Sequence, residues 1–103
     1  MQEQKNYKRL QIDALCLMQA LIGVISNNFR MVSISRHVER IDVQIILSAF
    51  CDEDNEEIDD LKTEFEALYS GPIDYEIETI ISQEPIILEC PNASTIIVFK
   101  RRE

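Results

Sequence analysis

The sequence predicts an α+β fold in two layers, with two helices packed on one face of a four-stranded, mostly antiparallel sheet. Two segments carry apolar residues at helical spacing, and four shorter segments are β-branched or alternate between apolar and polar side chains. The predicted order is αββαββ, and helices on one face of a sheet are the simplest way to bury both kinds of apolar surface. A chain of 103 residues is long enough for one core, so residues 1–103 are predicted to form a single domain.

The first predicted helix contains an apolar stripe whose members recur every three or four residues. They are Tyr7, Leu10, Ala14, Leu17, Met18, Leu21 and Ile25. Gly23 and the polar residues 26–28 can end this helix. Basic residues precede the stripe as in a secretion signal, but Asp13 and Gln19 interrupt it and no small-residue cleavage site follows. We therefore expect a packed helix in a cytoplasmic protein, and no segment is long and apolar enough to span a membrane.

Two strands are predicted next. Residues 29–36 include the β-branched Val32 and Ile34, and the polar residues 37–40 predict a turn. Residues 41–49 then show the clearest period-two pattern in the chain, in which Val43 and Ile45 alternate with residues such as Asp42 and Gln44. This alternation predicts a half-buried strand.

The second helix is predicted to begin in an acidic run, residues 52–60, where seven of nine side chains are carboxylates. Asp54 followed by Glu57 resembles a capping box, and carboxylates in a first turn favour the helix dipole. The buried face is predicted to consist of Ile58, Leu61, Phe65 and Leu68. The sequence Ser-Gly-Pro at 70–72 predicts the end of the helix, with Gly71 in a left-handed cap.

Two further strands complete the predicted sheet. Residues 73–79 alternate between apolar and acidic side chains, Pro85 and Pro91 bracket a loop or edge segment, and residues 95–100 are β-branched. If the apolar side of the earlier strand faces the helices, Asp42 and Gln44 lie on the open face of the sheet. The acids of the third strand, Asp74, Glu76 and Glu78, are then expected on that open face as well.

The net charge of −9 is distributed unevenly. Residues 41–99 contain fifteen acids and the single cation Lys62, whereas both ends of the chain are slightly basic. Such a field suits a basic protein partner and would repel the phosphates of nucleic acid. Like charges at helical neighbour spacing repel one another, so the acidic run adds little stability.

Two interpretations of the acidic run remain open. A solvated helix start explains three or four carboxylates, but a partner-binding surface explains all seven. The first predicted contact set is Asp52, Glu53, Asp54, Glu56, Glu57, Asp59 and Asp60, and the second is Asp74, Glu76 and Glu78. Within the first set, the three-residue steps from Asp54 to Glu57 and Asp60 predict one exposed ridge.

Catalytic and metal sites are not predicted. His37 is the only histidine and lies in the predicted turn, and two glycines cannot build a phosphate-binding loop. Asp52, Asp54 and Glu56 have the spacing that begins a calcium loop, but Glu57 stands where glycine is required and Thr63 where a glutamate is required. No cofactor is expected. The odd, widely spaced Cys16, Cys51 and Cys90 are predicted to be reduced thiols.

Two stretches resemble small bacterial immunity proteins of polymorphic-toxin and contact-dependent growth inhibition systems. Residues 20–34 are similar to a helix-to-strand junction of these proteins. Residues 57–68, followed by 77–85, resemble their acidic helix and the next strand. The resemblance therefore covers residues 20–85.

The resemblance implies a non-enzymatic, cytoplasmic protein that binds and neutralises one cognate toxin. Many such toxins are nucleases with basic clefts, which an acidic domain can block by imitating the charge of the substrate. The alternative is an adaptor or regulatory subunit that binds a basic protein without inhibiting it. A small enzyme with an unrecognised site is the third possibility.

Overall fold

A computed structural model describes residues 2–87 and 94–103, with side chains from Tyr7 onwards in these ranges. The elements follow the predicted αββαββ order, which confirms the α+β class. They are α1 (Gln2–Ala20), β1 (Phe29–His37), β2 (Arg40–Leu47), α2 (Asp52–Ala67), β3 (Asp74–Ile81) and β4 (Thr95–Lys100). Within the described residues, neither helix has the length and hydropathy needed to cross a bilayer.

The four strands form one mixed sheet in the order β3-β2-β1-β4. β1 pairs antiparallel with both β2 and β4, whereas β2 pairs parallel with β3. Parallel neighbours require a crossover connection, and α2 provides it between β2 and β3. The sheet is therefore mostly antiparallel, as predicted, with β3 and β4 at its edges.

The core lies between the sheet and the two helices. The apolar residues of β2, from Ile41 to Leu47 at every second position, are buried, which confirms the period-two prediction. Ile58, Leu61 and Phe65 of α2 cover them. The predicted fourth member of that helix face, Leu68, is 40% exposed because α2 ends one residue before it.

The buried stripe of α1 differs in part from the predicted one. Leu10, Ala14, Leu17 and Leu21 are buried as predicted, but Tyr7, Met18 and Ile25 are exposed. Their places in the core are taken by Asp13, Ala20 and Val24. The prediction fails because α1 carries apolar residues on both sides, so periodicity alone does not identify the side that packs.

The helix ends confirm one prediction and correct another. α1 ends at Ala20, and Gly23 follows in a turn with φ of 83°, in agreement with its predicted role. By contrast, Gly71 does not have a positive φ, and α2 ends at a right-handed C-cap, Leu68. The left-handed cap predicted at Gly71 is therefore wrong. Of the predicted loop between two prolines, Pro85 is described, whereas Pro91, like Cys90, lies outside the described residues.

Candidate partner-binding surface

The two helices run in opposite directions on the sheet. An ion pair of 3.4 Å between Arg9 Nη1 and Glu39 Oε1 places the N-terminal half of α1 beside the turn between β1 and β2. The start of α2 lies at the other end of the sheet, where the Asn28 side chain donates to Asp54 Oδ2 at 2.9 Å. The acidic run is therefore close to the end of α1 and far from its basic beginning.

Asp54 is part of the core-facing side of α2. Its side chain belongs to the same stripe as Ile58, Leu61 and Phe65, and only 4% of the residue is exposed. The N-cap of the helix is Cys51, which makes no side-chain capping bond. The predicted capping box is therefore wrong, and so is the prediction that Asp54 shares an exposed ridge with other acids. Its carboxylate instead accepts a hydrogen bond from Asn28.

The other six acids of the run are exposed, at positions 52, 53, 56, 57, 59 and 60. Asp52, Glu56 and Asp60 follow one another at four-residue steps, so they line one ridge on the side of α2 away from the core. We call Asp52, Glu53, Glu56, Glu57, Asp59 and Asp60 the helix acids. The only cation on α2 is Lys62, whose Nζ lies 3.6 Å from Asp59 Oδ1.

A second acidic surface lies on the open face of the sheet. Register pairs Asp42 with Glu76 and Gln44 with Glu78, whereas the helix-facing Ile41 and Val43 pair with Tyr75 and Ile77. Partners in register share a face. The predicted placement of Asp74, Glu76 and Glu78 on the open face is therefore confirmed.

Arg40 partly neutralises this open face. Its Nε donates to Asp42 Oδ1 at 3.0 Å, and its Nη2 donates to Glu76 Oε2. His37 Nε2 also lies 3.9 Å from Asp42 Oδ2. The open face therefore carries less uncompensated negative charge than the helix acids, which favours α2 as the stronger field for a basic partner.

A buried ion pair that the sequence did not predict joins α1 to β1. Arg36 Nε donates to Asp13 Oδ2 at 2.7 Å, and Tyr69 Oη donates to Asp13 Oδ1 at 2.5 Å. Burial and the hydrogen bond to Asp13 raise the pKa of Tyr69. Burial and the charge of Asp13 also raise the pKa of the nearby Cys16 thiol. The hydrogen bonds from Arg36 and Tyr69 to Asp13 therefore hold α1 against the sheet.

A second network surrounds Arg30 at the opposite end of the sheet. Its Nε and Nη2 donate to the two carboxylate oxygens of Glu103 at 2.7 Å, and its Nη1 donates to the carbonyls of Ser82 and Glu84. Arg101 Nη2 also donates to Glu103, at 2.9 Å. Hydrogen bonds from Arg30, then from Arg101, lower the pKa of Glu103 to about 2. The depression of about 490 Å³ beside them is lined by the paired Arg30, Arg101 and Glu103 together with Ser48, Gln83 and Arg102.

Metal ligands and thiols give no further site in the part of the chain that is described. No group of three or more His, Cys, Asp or Glu side chains there is arranged to hold a metal ion. Cys16 and Cys51 are both free and partly buried. Cys90, the third predicted thiol, lies outside the described residues.

Comparison with known proteins identifies the family. No curated protein matches the sequence. The sequence profile of the MafI2 immunity protein family matches residues 14–103, which extends beyond the 20–85 region of resemblance at both ends. The predicted resemblance to bacterial immunity proteins of polymorphic-toxin systems is thereby confirmed. The chain belongs to the MafI2 immunity protein family and has an immunity function directed against a toxin.

Proposed function

We propose that this protein binds its cognate toxin in the cytoplasm through the helix acids. The toxin is proposed to be a nuclease, and the helix acids block its basic cleft. The observation that carries the proposal is the set of six exposed carboxylates in the first nine residues of α2, with Lys62 as the only cation on that helix. They lie in a protein of an immunity family.

The chemistry of a nuclease cleft fits this surface. Such a cleft must be basic to hold phosphates, so a surface with dense carboxylates can occupy it. Opposite fields also speed the encounter, up to about 10⁸–10⁹ M⁻¹s⁻¹ at low salt. Rapid capture matters because a toxin damages the cell until it is bound.

The acids on the open face of the sheet form the second proposed contact. Asp74, Glu76 and Glu78 face away from the helix layer, so one flat surface of a toxin cannot contact them and the ridge of α2 at once. Binding at the helix acids therefore leaves the open face available. Variants in the two acidic surfaces should then have separable effects.

Co-expression tests the proposal. The coding sequence is expressed together with the toxin encoded upstream of it, and growth is scored with and without the immunity protein. We expect growth to be restored, and we expect the purified toxin to cleave RNA or DNA only when the immunity protein is absent. A toxin that is not a nuclease, or a complex that retains full nuclease activity, would contradict the proposed mechanism.

Charge variants then locate the contact. Replacing Asp52, Glu56 and Asp60 by lysine should remove protection, and the matched control replaces Asp74, Glu76 and Glu78 by lysine. Loss of protection only in the control would transfer the contact to the open face of the sheet.

A further inference from the structure

The outer side of α1 is apolar, which is unusual for a helix at the surface of a sheet. Ile12, Leu15, Met18 and Ile22 are 57%, 65%, 49% and 78% exposed. Ile12, Leu15 and Met18 on α1 and Ile22 in the turn just after it follow one another at steps of three or four residues, so they form one stripe. The stripe lies on the side opposite to the buried Leu10 and Leu17. We call these four residues the outer stripe.

The charges around the outer stripe differ from those of the rest of the protein. Between residues 4 and 38 the sequence contains one acid, Asp13, which is 1% exposed and paired with Arg36. Among the side chains of α1 that the structure describes, the exposed charges beside the stripe are those of Lys8 and Arg9, and Arg9 pairs with Glu39. In a chain of net charge −9, a second copy can approach this surface with little repulsion.

The same charges disfavour a basic toxin at the outer stripe. Lys8 and Arg9 would repel it, whereas the helix acids would attract it. This step rests on the proposed function, because it assumes that the toxin surface is basic. Under that assumption the two surfaces have different partners.

The ends of α1 fit an antiparallel pairing of two copies. Lys8 and Ile22 stand at equal distances in sequence on either side of Leu15. A two-fold axis through Leu15 therefore places Lys8 of one copy beside Ile22 of the other. The start of α2 lies at that end of α1, and its Asp52 and Glu53 are exposed. The basic end of each helix thus meets the acidic end of its partner, and the two helix dipoles oppose each other favourably.

We propose that the outer stripe of α1 is the interface of a homodimer, with the two α1 helices antiparallel and in contact near Leu15. The interface is isologous, since each copy contributes the same residues. Side chains at three- and four-residue steps can interdigitate at a helix separation of about 8–10 Å. Asp52 and Glu53 lie at the margin of this interface, whereas Glu56, Glu57, Asp59 and Asp60 of both copies remain outside it, so the dimer can bind two toxins.

Mass measurement in solution tests the dimer. We compare the wild type with Leu15→Glu by light scattering after size exclusion and by sedimentation equilibrium, and Ile87→Glu is the matched control at an exposed apolar residue outside α1. We expect dimers for the wild type and the control, and monomers for Leu15→Glu with an unchanged circular-dichroism spectrum. If Leu15→Glu does not fold, Ile22→Glu replaces it, since this residue follows the helix and is the more exposed. A monomeric wild type, or a dimeric folded stripe variant, would overturn the proposal.

A charge swap tests the antiparallel arrangement. Lys8→Glu should weaken dimerisation, and adding Glu53→Lys in the same chain should restore it. A toxin-binding assay on Leu15→Glu separates the two proposals. If the Leu15→Glu monomer still binds the toxin, both proposals are supported. If the wild type is a monomer and Leu15→Glu abolishes toxin binding, the toxin and not a second copy occupies the outer stripe. If the protein proves not to dimerise, toxin binding by the helix acids can still be measured independently.

Discussion

Asn28 and Asp54 connect the start of β1 to the start of α2. The Asn28 side-chain amide donates to Asp54 Oδ2 at 2.9 Å and to the Ala49 carbonyl at 2.6 Å, and its Oδ1 accepts from the Ala49 amide at 2.9 Å. One amide therefore fixes the connection between β2 and α2 and provides a partner for a buried carboxylate. The helix acids depend on this arrangement for their orientation.

We predict that Asn28→Ala lowers the free energy of unfolding by about 1–3 kcal/mol, because it leaves a buried acceptor without its donor. Asn27→Ala is the matched control, since Asn27 is the same residue type, is adjacent and is exposed. Urea denaturation followed by circular dichroism measures both. Equal stability of the two variants would show that the amide of Asn28 contributes little.

Replacement of Arg36 should cost more. Its partner Asp13 is 1% exposed, so Arg36→Ala leaves a buried carboxylate with only the Tyr69 hydroxyl, and we expect a loss of about 3–5 kcal/mol. The control is Arg9→Ala, which removes the exposed pair with Glu39 and should cost about 0–1 kcal/mol. Thermal and urea unfolding of both variants decide this, and a small loss for Arg36→Ala would contradict the structural role of the pair.

The two glycines should respond differently to alanine. Gly23 has φ of 83°, a conformation that costs an alanine about 1–2 kcal/mol. Gly71 has no such φ, and nothing lies within 4 Å of an added Cβ at either position. We therefore expect Gly23→Ala to lower the melting temperature and Gly71→Ala to leave it unchanged or raise it slightly. The reverse order of melting temperatures would contradict the observed backbone at the end of α1.

Reversing Asp52, Glu56 and Asp60 to lysine should slow toxin association by about tenfold or more, because steering by exposed charges acts mainly on the association rate. The rate for the wild type should fall steeply with ionic strength, and that of the variant should not. Stopped-flow measurements at low and high salt test both points. Asp52 also lies in the first turn of α2, so a melting curve must show that the variant is folded.

Acid should weaken the contribution of Glu103 to stability. Its pKa is lowered to about 2 from an ordinary value of 4.5, so the unfolded chain binds its proton more readily than the folded protein between these values. The stabilisation is therefore complete above about pH 4.5 and is lost as the pH falls towards 2. We predict that Glu103→Gln is less stable than the wild type at neutral pH, and that the difference narrows in acid. A difference independent of pH in urea titrations would exclude this ion pair as its cause.

Local patterns were sufficient to predict most of the fold. The alternation along β2 predicted both the strand and its buried side, and residues 95–100 were predicted with their observed bounds. The alternation of acidic and apolar residues in 73–79 predicted that the acids lie on the open face of the sheet. These predictions succeed because each depends on neighbours within a few residues in the sequence.

The errors at Asp54 and Asp13 have a different origin, which is contact between distant segments. Asp54 can be buried because the side-chain amide of Asn28, 26 residues away, donates a hydrogen bond to its carboxylate. Asp13 can be buried because the guanidinium of Arg36, 23 residues away, pairs with it. Spacing within a helix contains no information about either partner. On α1, both sides are apolar, and only the packed sheet determines which of them enters the core.

The position of β4 at the outer edge of β1 has a consequence for folding during synthesis. Residues 2–81 contain both helices and three strands, but one edge of β1 gains its partner only when residues 95–100 have been made. Arg30 likewise gains its carboxylate partner only with Glu103. Pairing between distant segments forms slowly, and an open strand edge promotes association with other chains. The edge of β1 that later pairs with β4 is therefore open to association with other chains until residues 95–100 have emerged.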